Sequence, residues 1–220
     1  MNYTELVAAI KAYTENDFPA TVGSGGMTST EQLNRFIRQA EQRAYNAVQI
    51  LDLRKNVTGS CTATNKYLSV PTDWLSTFSL AVVDPVSGEY EYLLNKDVDY
   101  IRSAYPGPTT TGKPTYYAYF DEDSFILGPT PDQAYTMELH YFYYPQSIVD
   151  ASTSWLGNNF DSVLLYGALL EANTFMKGEA DVTAEYQKRY DEALGLLKQL
   201  AQGKNRQDNY RTQQVRQPVQ

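Results

Sequence analysis

The stretch that leaves this chain least freedom runs from Asn158 to Gln202, NNFDSVLLYGALLEANTFMKGEADVTAEYQKRYDEALGLLKQLAQ. It reads as two helices folded back at Gly178; the first is apolar on almost every side from Val163 to Leu170, and that helix's full charges are confined to Asp161, Glu171 and Lys177. A helix that is hydrophobic all round belongs in an interior. A membrane span would need roughly eighteen or more apolar residues in a row, and this run is shorter and interrupted. The expected structure is the central helix of a bundle. Asn158 or Asn159 supplies a candidate N-cap, and Gly178 stands in the usual position for ending the helix. Beyond Gly178, Tyr186, Tyr190, Leu194, Leu197 and Ala201 recur at helical spacing, so a second helix should fold back on the first. Gly167 and Ala168 are small enough to admit another helix closely.

Other segments must cover that helix. Residues 3–15 carry Leu6, Val7, Ile10 and Tyr13 at helical spacing. A loop, DFPATVGSGGM, follows; its glycines lack the GK[ST] of a phosphate cradle. Thr28 with Glu31, or Ser29 with Gln32, then forms a capping box. The helix it opens places Leu33, Phe36, Ile37, Ala40, Ala44, Ala47, Val48 and Leu51 on one stripe. Glu31, Arg35, Arg38, Glu41 and Arg43 fall mostly outside it. Glu171 is expected either to pair with an arginine of the bundle, such as Arg35 or Arg38, or to mark the narrow exposed edge of its helix.

From Asn56 to about Pro145 the vocabulary changes to Val, Thr, Tyr and Phe cut by Pro and Gly, which is that of strands and turns. TDW at Thr72 to Trp74 reads as a tight turn and NKDVDYIRSAY as a short helix. TYYAYF, DEDS and FILG read as a hairpin tipped by Asp121, Glu122 and Asp123. In TMELHYFYY, Met137, Leu139, Tyr141 and Tyr143 should face one way and Glu138, His140, Phe142 and Tyr144 the other.

The fold class expected is therefore α+β: a helical bundle formed by N- and C-terminal helices, with a central β-rich insertion and an extended C-terminal tail. The boundaries are residues 1–55 for the N-terminal helices, 56–147 for the insertion, 148–202 for the helical hairpin and 203–220 for the tail. The tail shows no periodicity, which predicts disorder in isolation. It carries Lys204, Arg206, Arg211 and Arg216 against Asp208 alone, whereas the whole chain has a net charge of −8. An acidic body argues against sequence-independent DNA binding, which depends on neutralising phosphates. A basic tail on such a body is suited to docking on something acidic.

Motifs for catalysis are absent. His140 is the single histidine, and it sits in a strand without a Cys, Asp or second His at ligand spacing. Cys61 is the single cysteine; it excludes an internal disulfide framework and fits a reducing compartment. The acidic run at Asp121 to Asp123 lacks the spacing of a calcium loop. No nucleophile elbow surrounds Ser60, Ser69 or Ser79. No secretory signal opens the chain, and neither a cofactor nor a metal is expected. The unusual residue is tyrosine, 19 of 220. Its amphipathic ring suits the rim of a β core or a protein interface. Tyr117, Tyr119, Tyr141 and Tyr143, with Arg35, Arg38 and Arg43, are thus the candidates for contacts between subunits or with a tail. A tyrosine-rich carbohydrate-binding module is an alternative reading.

Three segments, in this order and spacing, resemble the head-to-tail adaptor (head completion or neck) proteins of tailed bacteriophages. They are VPTDWL at Val70 to Leu75, FILGPTPDQAYTMELHYFYYP at Phe125 to Pro145, and WLGNNFDSVLLYGALLEANTFMKGEADVTAEYQKRYDEAL at Trp155 to Leu194. The resemblance implies a structural virion protein of the neck, made in the host cytoplasm. Such proteins form a ring, usually dodecameric, beneath the portal. They extend the DNA channel and offer a docking platform to the tail or nozzle protein. The bundle would form the ring body, and the C-terminal segment would insert into the portal protein. Lys204, Arg206, Tyr210, Arg211 and Arg216 are then the portal-binding candidates. Genomic DNA would pass through the channel without specific binding, and no membrane would be involved. A tail-tube or tail-completion protein would share the ring but bind tail proteins.

Overall fold

The computed structural model describes residues 1–21, 25–48, 53–84, 87–107 and 109–212, with side chains as far as Gln202. In chain order the elements are α1 (Tyr3–Thr14), α2 (Ser29–Ala47), β1 (Arg54–Ser60), β2 (Tyr67–Ser69), β3 (Ser76–Val83), β4 (Tyr90–Tyr92), β5 (Leu94–Asn95), α3 (Val98–Ala104), β6 (Tyr116–Tyr119), β7 (Ser124–Gly128), β8 (Thr136–Phe142), α4 (Ile148–Ala151), α5 (Trp155–Asn159), α6 (Asp161–Met176) and α7 (Ala180–Thr212). The fold is α+β. It divides into two compact units, Met1–Leu51 with Tyr144–Gln220, and Asp52–Tyr143.

The first unit is helical and is organised on α6. That helix buries Val163, Leu164, Leu165, Gly167, Ala168, Leu169, Leu170, Ala172 and Asn173. Helices α1, α2 and α7 all pack on it, so its apolar character is met from several sides. A Cβ added at Gly167 would come within 3.0 Å of the Ala40 Cβ on α2 and 3.2 Å of the Tyr190 ring on α7. The missing side chain is thus what lets two helices converge on α6. The first two helices open on capping boxes, Asn2 with Glu5 and Thr28 with Glu31, which satisfy otherwise orphaned backbone N–H groups. Leu6, Ile10, Phe18, Leu33, Phe36 and Ile37 join α6 in one core, which Ile148 of α4 completes.

Several details differ from the sequence reading. Helix α6 is not capped by Asn158 or Asn159. Those residues end the separate short helix α5, capped by Ser154, and the N-cap of α6 is Phe160, with no side-chain cap bond. At the other end the left-handed residue is Lys177 (φ 55°), one position before Gly178. Gly178 is required for a different reason: a Cβ there would lie 1.9 Å from the Asn173 Oδ1. Asn173 is itself held by donating to the Thr183 Oγ1 at 2.7 Å. Tyr13 is 53% exposed despite its place on the α1 stripe. Ala47 is exposed, and Leu51 lies outside the described residues. Glu41, placed outside the α2 stripe, is buried (3% exposed). The largest correction concerns the stretch taken as an extended tail: the backbone of α7 stays helical through Gly203 to Thr212.

The second unit holds two four-stranded sheets, in the orders β1-β8-β3-β4 and β2-β7-β6-β5. The first is antiparallel throughout; in the second, β5 and β6 run parallel. Leu80, Val82, Met137, Leu139 and Tyr141 of the first sheet share a core with Tyr117, Phe125 and Leu127 of the second. Alternation along β8 buries Met137, Leu139 and Tyr141 and leaves Glu138, His140 and Phe142 partly exposed, as period two requires. Helix α3 covers the other face of the second sheet through Ile101, over Ala118 and Ile126. Strand β1, RKNVTGS, was not expected. It is an edge strand, exposed along almost its whole length.

Candidate functional site

The arginines of α2 are positioned by the capping box and the helical period, which point them away from the core. Two of the three are engaged within the unit. Arg38 reaches Asp150 of α4 at 2.8 Å, and Arg43 pairs with Glu171 of α6. Glu171 thus pairs with an arginine of the bundle, as expected, and that arginine is Arg43 and not Arg35 or Arg38. Arg35 has no carboxylate among the described residues and approaches only the Met27 sulfur at 3.8 Å. It lines a shallow surface groove with Met27, Glu31, Asn34, Arg38, Gln39 and Gln42. Sequence reasoning missed Glu41. Its Oε1 accepts the Ile148 N–H at 2.9 Å, tying α4 to α2, and burial pushes its carboxyl pKa above the ordinary value.

The tyrosines separate by burial. Tyr117 and Tyr141 are 5% and 1% exposed, so their rings form core and are not free for a partner. This corrects their selection as interface residues. Burial raises the Tyr117 hydroxyl pKa strongly. Tyr119 is 42% exposed, and Tyr143 is half-buried beneath the Lys55 ammonium at 5.3 Å. Two of the four candidates thus retain an accessible ring.

The VPTDWL turn is a structural hub. Asp73 accepts from the Lys55 Nζ at 2.8 Å and from the Tyr141 hydroxyl at 2.8 Å. The Lys55 bond holds its pKa below the usual carboxylate value. Trp74 packs on Tyr119 and Phe125 with centroids 5.6 and 5.7 Å apart. The turn thereby fixes one end of both sheets.

A cluster absent from the sequence reading lies on the outer face of the first sheet. The register shifts between Thr77 and Ser79, and at this irregularity Phe78 is left 53% exposed. The Arg54 guanidinium lies 4.0 Å from its ring centroid and 5.2 Å from that of Phe142. The Arg54 Nε is buried without a hydrogen-bond partner. Only the register, set by backbone pairing, brings these three residues together, and no sequence pattern announces it.

The remaining polar groups do not assemble into chemistry. His140 sits on the same outer face, opposite Asn56 and Ser79. The Cys61 sulfur accepts the Tyr135 N–H at 3.4 Å, and burial raises its thiol pKa; such a thiol is a poor nucleophile. Among the described residues no group of three or more His, Cys, Asp or Glu is placed to hold a metal. No described helix is long and apolar enough to cross a membrane. Lys204, Arg206, Tyr210 and Arg211 fall on the last turns of α7. Arg216 lies outside the described residues.

A family model described as SU10 adaptor protein matches residues 1–218. The chain belongs to the SU10 adaptor protein family. This is a family of structural bacteriophage proteins. As a phage adaptor, this SU10 adaptor protein is a virion component that associates with other virion components. No curated protein matches the chain.

Proposed function

We propose that this SU10 adaptor protein is the head-to-tail adaptor of its virion. It forms a ring beneath the portal, extends the DNA channel and docks the tail or nozzle protein. In this reading the chain ends build one bundle, the ring body, and residues 56–147 form an insertion. The observation that carries the reading is the relation of α7 to its support. Helix α6 has 16 residues and α7 has 33, about 24 and 50 Å at the helical rise. Among the residues whose side chains are described, the last buried positions on α7 are Leu197 and Ala201. From Ala201 the helical backbone runs on for some 16 Å to Thr212, and this stretch carries Lys204, Arg206, Tyr210 and Arg211. A helix anchored at one end and basic at the other is shaped to reach a neighbouring acidic protein.

The net charge of −8 supports a channel that repels the genome, so that DNA slides without sticking. A ring needs different surfaces on its two flanks, and the exposed Arg35 groove, Tyr119 and Tyr143 are available for that role. The decisive experiment removes residues 203–220. The truncated protein should keep its thermal midpoint within about 2 °C, because no described core residue lies in the removed segment, and should lose portal capture in a pull-down. Unchanged affinity for the portal would refute the assignment of the tail. Capture by tail proteins with no binding to the portal would favour a tail-completion role instead.

A further inference from the structure

Arg54 is the most exposed to question of the cations in the β unit. Stacked over Phe78 at 4.0 Å and 5.2 Å from Phe142, it has no ion pair or hydrogen bond among the described residues, and its Nε is buried unbonded. Lys55 and Lys113, by contrast, each have carboxylate partners. Aromatic stacking holds a guanidinium flat and fixes its fork, so less freedom is lost when it binds a carboxylate in bidentate fashion. Arginine and large aromatics in one exposed patch are also the composition of interface hot spots.

The same chain carries a complement on its other sheet. The β6–β7 tip presents Asp121, Glu122 and Asp123, all exposed. Asp121 is turned inward, accepting from the Asp123 N–H and the Ser124 hydroxyl, whereas Glu122 has no partner among the described residues. The tip stands on an apolar base: Phe120 is 37% and Tyr67 36% exposed, their rings 5.0 Å apart. Two cations stack on that base, Arg102 5.4 Å from the Phe120 ring and Lys66 5.4 Å from the Tyr67 ring, and neither has a carboxylate partner among the described residues. Phe78 at 53% and Leu75 at 46% exposure match this base in kind.

We propose that the Arg54–Phe78–Phe142 stack of one copy receives the acidic β6–β7 tip, Glu122 foremost, of the next copy. The inference rests on the ring reading above and adds the contact by which neighbours recognise one another. The stack is on the outer face of one sheet and the tip belongs to the other, so the pairing is head-to-tail and repeats from copy to copy, as a ring requires. Copies with a net charge of −8 repel one another at long range. A stacked guanidinium without an ion pair, set where the neighbour brings an unpaired carboxylate, supplies local attraction and fixes register.

The test uses assembled virions in which Phe78 is replaced by photo-reactive p-benzoylphenylalanine. After irradiation, a cross-link to residues 116–124 of a second copy is the expected result. A cross-link to another part of a second copy, to a different virion protein, or to nothing overturns the proposal. A lysine-reactive cross-linker on unmodified particles tests the underlying ring separately; if it yields no adaptor multimers, the ring reading itself fails. In parallel, Arg54→Glu should reduce incorporation into particles at least about tenfold. Adding Glu122→Arg to the same chain should restore most of it by exchanging the charges. Equal loss in the double variant, with wild-type circular dichroism for both, counts against the pairing. If Arg54→Glu does not fold, the photo-cross-link decides alone.

Discussion

Glu41 shows how one residue escapes a sequence reading. Its carboxylate falls among arginines and glutamates, and charge alone places it in solvent. Yet it stands four residues after Ile37, within the buried arc, where it accepts the Ile148 N–H and anchors the returning chain. Burial raises its pKa in the folded state, with smaller opposing contributions from Ser147 and Ile148. The native state therefore favours the protonated form. That contribution to stability is complete below the unfolded pKa and is lost as pH rises through the folded pKa. Glu41→Gln keeps an acceptor for Ile148 without the charge. Its stability relative to wild type should be higher at pH 7 than at pH 4, as thermal melts at both values would show; a pH-independent difference would contradict the assignment. Gly178 was legible as a helix terminator, but its real constraint is the Asn173 side chain 1.9 Å from a hypothetical Cβ. Gly178→Ala must displace that amide and its bond to Thr183. A loss of about 1–3 kcal/mol is expected in denaturant unfolding.

At the scale of elements, legibility followed burial. Helices α2 and α6 announced themselves because apolar side chains recur wherever they meet a core. Strand β8 did so through its alternation, since one face is inside. β1 gave no signal, because an edge strand exposed on both faces needs no apolar residues. The last turns of α7 gave none either: beyond Ala201 the sequence shows no apolar period, yet the backbone stays helical to Thr212. Tyr117 and Tyr141 were misassigned for a related reason, since tyrosine serves equally at a rim and in a core, and only tertiary placement distinguishes them. The VPTDWL turn is the element whose role was most understated. Asp73→Ala would leave the Tyr141 hydroxyl buried without its acceptor and Lys55 without its partner. We expect destabilisation by about 1–3 kcal/mol, and less than additive loss when Asp73→Ala and Tyr141→Phe are combined, measurable in a double-mutant cycle.

For the whole molecule, charge is the property read most directly from the sequence, and its placement matters more than its sum. In the proposed reading the acidic body faces the genome and the basic end of α7 faces a protein. At about 0.15 M salt, where screening acts beyond about 8 Å, the full chain should show no retention of duplex DNA in an electrophoretic shift assay. Tight DNA binding that survives this salt would count against the channel role. The two-unit organisation could be anticipated from the change in vocabulary near Asn56 and Pro145. What the sequence could not supply was the pairing register that assembles Arg54, Phe78 and Phe142, because those residues are distant in the chain and individually ordinary.

The uninterrupted course of α7 has a mechanical side. Tyr190, Leu194, Leu197 and Ala201 are buried along its length, and its backbone runs on to Thr212. A pull along the axis from that end loads all four side chains at once, in shear, and does not peel them away one after another. Such an arrangement resists sudden axial force far better than it resists slow sideways bending. In the role proposed above, that asymmetry would suit a joint loaded along its axis.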